Sequence, residues 1–203
     1  MANKRVIGAV ACILVLVGGV GFLWWWTLGL SAFTSYSYAL EGAGRLPRPA
    51  PDITLVDQSG RVRTLKSLRG RYVLLHAFYG SCGTTCPIVL AEIRDVYARL
   101  DPARRSRLEV VSLTVDPEDD TLARLRDLWS EQGEPDGWIM AQAAGGSTER
   151  AAKELGIWVF RRKDGIINHA AYLFLIDRRG QIVRVITPGL SSEDIRRALE
   201  GAV

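Results

Sequence analysis

The chain is short of the residues that most often announce a site. Among its 203 residues there are only three cysteines and two histidines. So few cysteines exclude a disulfide framework, which spreads several bridges along a short secreted chain. A structural zinc site normally takes four protein ligands. That is poorly served here, because one of the two histidines, His76, lies in the middle of an apolar run. No basic stripe with interleaved aromatics is present. The net charge is only +4 and arginine is scattered along the whole chain, so nucleic acid is excluded as an expected partner. No internal repeat is visible. No long Arg- and Ser-rich leader opens the chain, which favours a bacterial origin.

What the chain does have is an ordinary globular composition, 48% apolar and 24% charged. Its length suits one domain plus an anchor. Residues Val6 to Leu30 carry no charge and are numerous enough to cross the hydrocarbon layer as a helix. Lys4 and Arg5 precede them, which predicts a cytoplasmic N-terminus and a domain on the far side. Trp24, Trp25 and Trp26 fall where amphipathic rings favour the interface. A cleaved signal peptide would have a shorter apolar core and a small-x-small site; Ser31-Ala32-Phe33 is a poor one. Cys12 lies inside the run and reads as a small membrane-buried residue. The expected organisation is a cytoplasmic N-terminus at 1–5, a transmembrane anchor at 6–30, a linker at 31–51 and a folded domain at 52–203. It places the protein in the bacterial inner membrane, single-pass, with the domain in the periplasm.

Within the domain, residues 52–57 and 61–65 flank Gln58-Ser59-Gly60 and predict a hairpin. Apolar runs at Tyr72–Tyr79 and Leu108–Val115 predict buried strands. Helices are expected over Pro87–Leu100, Thr121–Gln132 and Ser147–Leu155. Ala171–Ile176 and Gln181–Ile186, joined by Asp177-Arg-Arg-Gly180, form a second hairpin. A last helix opens at Ser191, which with Asp194 has the form of a capping box. Strands alternating with helices imply a mixed, partly parallel sheet flanked by helices. With the closing hairpin and final helix, the fold class expected is α/β and thioredoxin-like.

Cys82 and Cys86 fall between the first core strand and its helix, in Gly80-Ser-Cys82-Gly83-Thr-Thr-Cys86-Pro87. If the intervening residues curl into the first turn, both sulfurs lie on one face. A helix N-terminus offers unpaired N–H groups and the positive end of its dipole, which favour thiolate. A redox pair and a metal site both fit this arrangement. Soft thiolates select Cu(I) or zinc. His169 stands just before the strand at 171–176, where a thioredoxin-like fold would turn it towards the cysteine loop as a third ligand. The spacing is not the C-x-x-C of thioredoxins. A peroxidase would have threonine where Tyr79 stands.

These pieces together resemble the Sco/SenC family of copper chaperones. The matching motifs are Cys82 to Pro87 after an apolar strand, Asp116-Pro-Glu-Asp-Asp120-Thr121, and His169 followed by Tyr-Leu-Phe-Leu-Ile-Asp-Arg-Arg-Gly. The resemblance runs over about Asp52 to Leu199. It implies copper, as Cu(I) or Cu(II), bound by Cys82, Cys86 and His169, with Asp116 as a nearby acidic residue tuning the site. It implies a role in maturing the copper centre of cytochrome c oxidase, by copper delivery, thiol reduction or both. The implied partners are the membrane, the copper-bearing oxidase subunit or another copper chaperone. Three positions depart from the family pattern. Gly83 stands where proline is common, His76 where an aromatic or aliphatic residue is usual, and Ala170 where serine is frequent. A membrane-tethered thiol–disulfide oxidoreductase without obligatory copper is the alternative, and an inert disulfide in an interaction module a third.

Overall fold

The structure is a computed structural model describing residues 2–27, 29–30, 44–186 and 192–201. The chain divides into two compact units, Met1–Gly42 and Ala43–Val203. The first unit contains helix α1, Ala2–Trp26. Its Val6–Trp26 stretch is long and apolar enough to cross a bilayer, and its side chains are exposed. The helix stops four residues short of the expected Leu30. Thr27 turns its hydroxyl back to the Leu23 carbonyl at 2.6 Å. Most of the expected linker, 31–43, lies outside the described residues.

The second unit is built on an eight-stranded mixed sheet. Its strands are β1 Arg48–Pro49, β2 Thr54–Asp57, β3 Val62–Thr64, β4 Tyr72–Phe78, β5 Leu108–Thr114, β6 Trp138–Ala143, β9 Leu173–Ile176 and β10 Gln181–Ile186. A separate two-stranded ribbon joins β7, Val159–Arg161, to β8, Ile167–His169. The sheet order is β1-β10-β9-β4-β5-β6-β2-β3. Among the described strand pairs only β4–β5 and β5–β6 are parallel. The helices are α2 Thr85–Arg99, α3 Pro102–Arg105, α4 Leu122–Glu131, α5 Thr148–Leu155 and α6 Ser192–Glu200.

The two apolar runs become the central parallel pair because every residue of β5, and all of β4 after Tyr72, is buried. Such continuous burial is the mark of a strand covered on both faces. Both expected hairpins form, as β2–β3 and β9–β10. β9 is shorter than expected. Its pairing with β4 begins at His76↔Leu173, so Ala171 and Tyr172 stay outside the ladder.

Four further features differ from the sequence reading. The folded unit begins earlier than Asp52, because Arg48–Pro49 adds a short edge to β10. β6 had no assigned element; Met140, Ala141 and Gln142 give it little of the β-branched signal that marks a strand. The β7–β8 ribbon was also unassigned. Its strands have three residues each and an exposed face, so they lack an apolar run. α2 starts at Thr85, two residues before Pro87. The proposed capping box of the last helix cannot be placed, since Ser191 and the side chain of Asp194 fall outside the described residues.

β4 and β5 run in register to Phe78↔Thr114. Their carboxyl ends therefore open side by side, and the loops that follow, 79–84 and 115–121, share one edge of the sheet. In open α/β sheets this edge is where sites are built.

Candidate dithiol–histidine site

The cysteine loop starts where β4 ends. The Val115 N–H donates to the Phe78 carbonyl at 2.8 Å, so the two strand ends stay joined. Gly80 then turns the chain over the buried carboxylate of Asp120. Its N–H donates to both carboxylate oxygens, at 2.9 and 3.0 Å. The Thr114 hydroxyl donates to the same carboxylate. A Cβ at Gly80 would collide with Asp120 Oδ1 and crowd Leu128, so only glycine fits. Burial pushes the Asp120 carboxyl up, against the Thr114 and Gly80 hydrogen bonds. The sequence motif contained this residue, but its role under the loop depends on the tertiary fold.

Cys82 follows as a half-buried residue. Its sulfur accepts the Cys86 N–H at 3.4 Å. Thr84, the residue before α2, supplies no side-chain cap. The sulfur therefore satisfies one of the N–H groups a helix start leaves open. The nearby Tyr79 hydroxyl and Cys86 thiol also favour its charged form. Burial opposes ionisation of Cys82, but the Cys86 and Thr84 N–H groups and these side chains outweigh it. Its thiol is lowered to about 7. Cys86, in the first turn of α2, is only 5% exposed. Burial, and then the neighbouring Cys82 and Asp120 charges, push its thiol up to about 12 against the Tyr79 backbone. The two sulfurs are thus an acidic, accessible thiol and a buried, protonated one.

His169 ends β8, and its Nε2 lies 3.8 Å from Cys86 Sγ. Nδ1 is 3.2 Å from the Ala170 carbonyl. An N–H there fixes Nε2 as the nitrogen that carries the lone pair. The Tyr79 ring stands edge-on to the imidazole, centroids 5.9 Å apart. Burial lowers the histidine's affinity for a proton, so it stays neutral. Cys86 therefore neighbours both Cys82 and His169. Among the described residues, however, no three Cys, His, Asp or Glu side chains already surround a single point as a closed metal cage.

Asp116 is elsewhere in this neighbourhood. It is buried and takes the guanidinium of Arg161 on β7 at 2.6 Å. It ties the ribbon that carries His169 to the core instead of touching a sulfur. The Asp116 N–H donates to Thr114 Oγ1 at 2.9 Å, so one threonine links both acidic residues. Sequence reading missed Arg161, and also Tyr79 beside Cys82; neither carries a motif. His76 lies inside the core at 1% exposed, with Nε2 2.7 Å from Ser112 Oγ. Burial lowers it to about 3. It is a neutral packing residue, set apart from the cysteine loop as its strand position implied.

A thioredoxin-like domain with a reactive thiol, a buried thiol and a histidine at one sheet edge is the class defined by this fold and site. A SCO1/SenC family profile matches residues 46–203. The chain belongs to the SCO1/SenC family. A Stutzerimonas stutzeri protein named "Putative copper-binding protein" is 27% identical over 156 residues, covering 75% of this chain and 76% of the relative. The thiol-disulfide oxidoreductase ResA of Geobacillus kaustophilus is 26% identical over 208 residues, covering 98% and 96%. Among solved structures, Bradyrhizobium japonicum ScoI with copper bound superposes with a TM-score of 0.66 at 24% identity, covering 76% of this chain and 99% of that one. That likeness concerns the fold.

Proposed function

We propose that this protein is a membrane-anchored copper-binding chaperone that takes copper as cargo on Cys82, Cys86 and His169. Its anchor would be α1 in the bacterial cytoplasmic membrane, with the domain in the periplasm. Its client would be the copper-bearing subunit of cytochrome c oxidase, supplied directly or through another copper chaperone. The observation that carries this reading is the approach of Cys86 Sγ to His169 Nε2, 3.8 Å, beside Cys82. Two sulfurs and a neutral imidazole form a soft, three-donor set, which suits copper better than hard ions. The acidic Cys82 supplies a thiolate at neutral pH, and the buried Cys86 gives up its proton when metal binds. Support for the membrane comes from the length and apolar character of Val6–Trp26.

The test is titration of the full chain with Cu(I) and Cu(II), wild type beside His169→Ala. Loss of the Cu(II) spectrum and of affinity is the expected result. Unchanged binding overturns the three-ligand site.

A second reading is favoured by the unequal thiols. Cys82 thiolate attacks a client disulfide, forms a mixed disulfide and releases one client thiolate. Cys86, once deprotonated, attacks the Cys82 sulfur. The second client thiolate leaves, and a Cys82–Cys86 disulfide remains. The likeness to ResA along nearly the whole chain supports it. Such exchange needs both cysteines but not His169. Retained disulfide turnover in His169→Ala, with no turnover in Cys82→Ser, distinguishes it from copper transfer.

A further inference from the structure

The β7–β8 ribbon has two unlike faces. Its register pairs Val159 with His169, Phe160 with Asn168 and Arg161 with Ile167. Side chains alternate with period two, so Arg161, Ile167 and His169 share the inner side. Arg161 reaches Asp116, Ile167 is buried, and His169 meets Cys86. The other side is open and carries large apolar side chains, with exposed Asn168 opposite Phe160. Trp158, Phe160 and Ile166 are 51%, 61% and 44% exposed. Hydrogen bonds from Ala170 N to Trp158 O and from Arg162 N to Ile166 O, at 3.0 and 2.8 Å, hold all three on the ribbon. The tip adds Arg162, bonded to Asp164 at 2.8 Å, and Lys163.

We infer that the outer face of this ribbon docks on the surface of the membrane that holds the protein's own anchor, with anionic headgroups at its basic tip. Aromatic and aliphatic side chains beside Lys and Arg are what the bilayer interface accepts. Three large apolar side chains left in water on one face of a short ribbon point to an interaction surface. The anchor decides in favour of lipid. Whatever its conformation, the chain from Trp26 to Gly44 keeps the domain within about 60 Å of that bilayer. The patch therefore faces a very high local concentration of lipid before it meets any soluble partner. Docking would hold the ribbon by its outer face while its inner face keeps His169 on the cysteines. The site then stands close to clients lying in the membrane plane. The inference rests on the anchor reading, though not on the copper reading.

The full chain is placed in nanodiscs containing phosphatidylglycerol with a diazirine in its acyl chain, and photo-adducts are located by mass spectrometry. Adducts are expected on α1 and on 158–166. The exposed Ile88 of α2 serves as a comparison and stays clear. Trp158→Ser/Phe160→Ser/Ile166→Ser abolishes ribbon adducts and leaves those on α1. Arg162→Ser/Lys163→Ser, which alters two exposed tip residues, lowers ribbon labelling by about fivefold per lost charge. Labelling of α1 without the ribbon, or ribbon labelling insensitive to both variants, overturns lipid docking and leaves the face to a protein partner. Absence of label from α1 overturns the anchor reading, and docking with it.

Discussion

The two halves of the site are held in different ways. The cysteine side is part of the core. β4 leads into it, α2 leaves it, and the Asp120 carboxylate supports it from below through Gly80 and Thr114. The histidine side comes on a two-stranded ribbon outside the main sheet, tied to the core by Arg161 and Asp116. The difference teaches that the thiol pair and the histidine are physically separable here. Loosening the ribbon moves the imidazole and leaves both sulfurs in place. Disturbing the Gly80 turn moves the sulfurs themselves.

The largest expected effect breaks the histidine side alone. On the proposed ligand set His169→Ala removes the nitrogen donor, so copper affinity should fall by at least the roughly 10–100-fold that follows loss of an outer-shell contact. Cys82 alkylation should keep its wild-type rate. A parallel loss of thiol reactivity in iodoacetamide kinetics would show that the two sides are not separable. Next comes the cysteine side. Gly80→Ala drives a methyl into a buried carboxylate and pushes that carboxylate away from the residue-80 N–H. Overpacking of this kind costs about 1–3 kcal/mol, to be read by urea denaturation. Wild-type stability would mean the turn is softer than its geometry suggests.

A third outcome concerns the two sulfurs. With Cys82 at about 7 and Cys86 near 12, alkylation at pH 7 should fall on Cys82 and accelerate as pH rises through 7. The sign follows from thiolate being the nucleophile. Tyr79→Phe removes a donor to that thiolate and should shift the profile to higher pH. Equal labelling of both cysteines by mass spectrometry at pH 7 would overturn the assignment. The smallest effect is that of Arg161→Ala. The guanidinium is about half exposed, at 47%, so its loss should cost about 1 kcal/mol or less in stability. A few-fold loss of copper affinity should accompany it, with Cys82 alkylation unchanged. Asp116→Asn should weaken binding by the same route, and a changed Cys82 profile would instead tie Asp116 directly to the sulfurs.

Much of the fold was legible because its signals are local. The apolar runs of β4 and β5, the turn residues of both hairpins and the period of α2, α4 and α5 depend on neighbours in the chain. β6 and the β7–β8 ribbon were not legible, since short strands take their register from partners far along the sequence. The same division runs through the site. Cys82 and Cys86 are four residues apart, so one helix turn brings them together. His169 is 83 residues from Cys86. Its place before a strong strand and the family motifs pointed to it, but its distance from the sulfur could come only from the folded chain.

By itself, then, the sequence determined an apolar segment able to span a bilayer, a thioredoxin-like order of elements and a thiol pair at a helix start. Periodicity and spacing act over a few residues, and the chain writes them directly. Only the tertiary structure decided which thiol ionises, because burial and donated N–H groups are unequal around chemically identical side chains. It set the distance of His169 from Cys86, where the sequence had placed His76 in a buried run and His169 near the loop. It assigned Asp120, beneath Gly80, to support the cysteine loop and gave Asp116 to Arg161. Those outcomes depend on which distant segments share a sheet edge, and no local pattern encodes that.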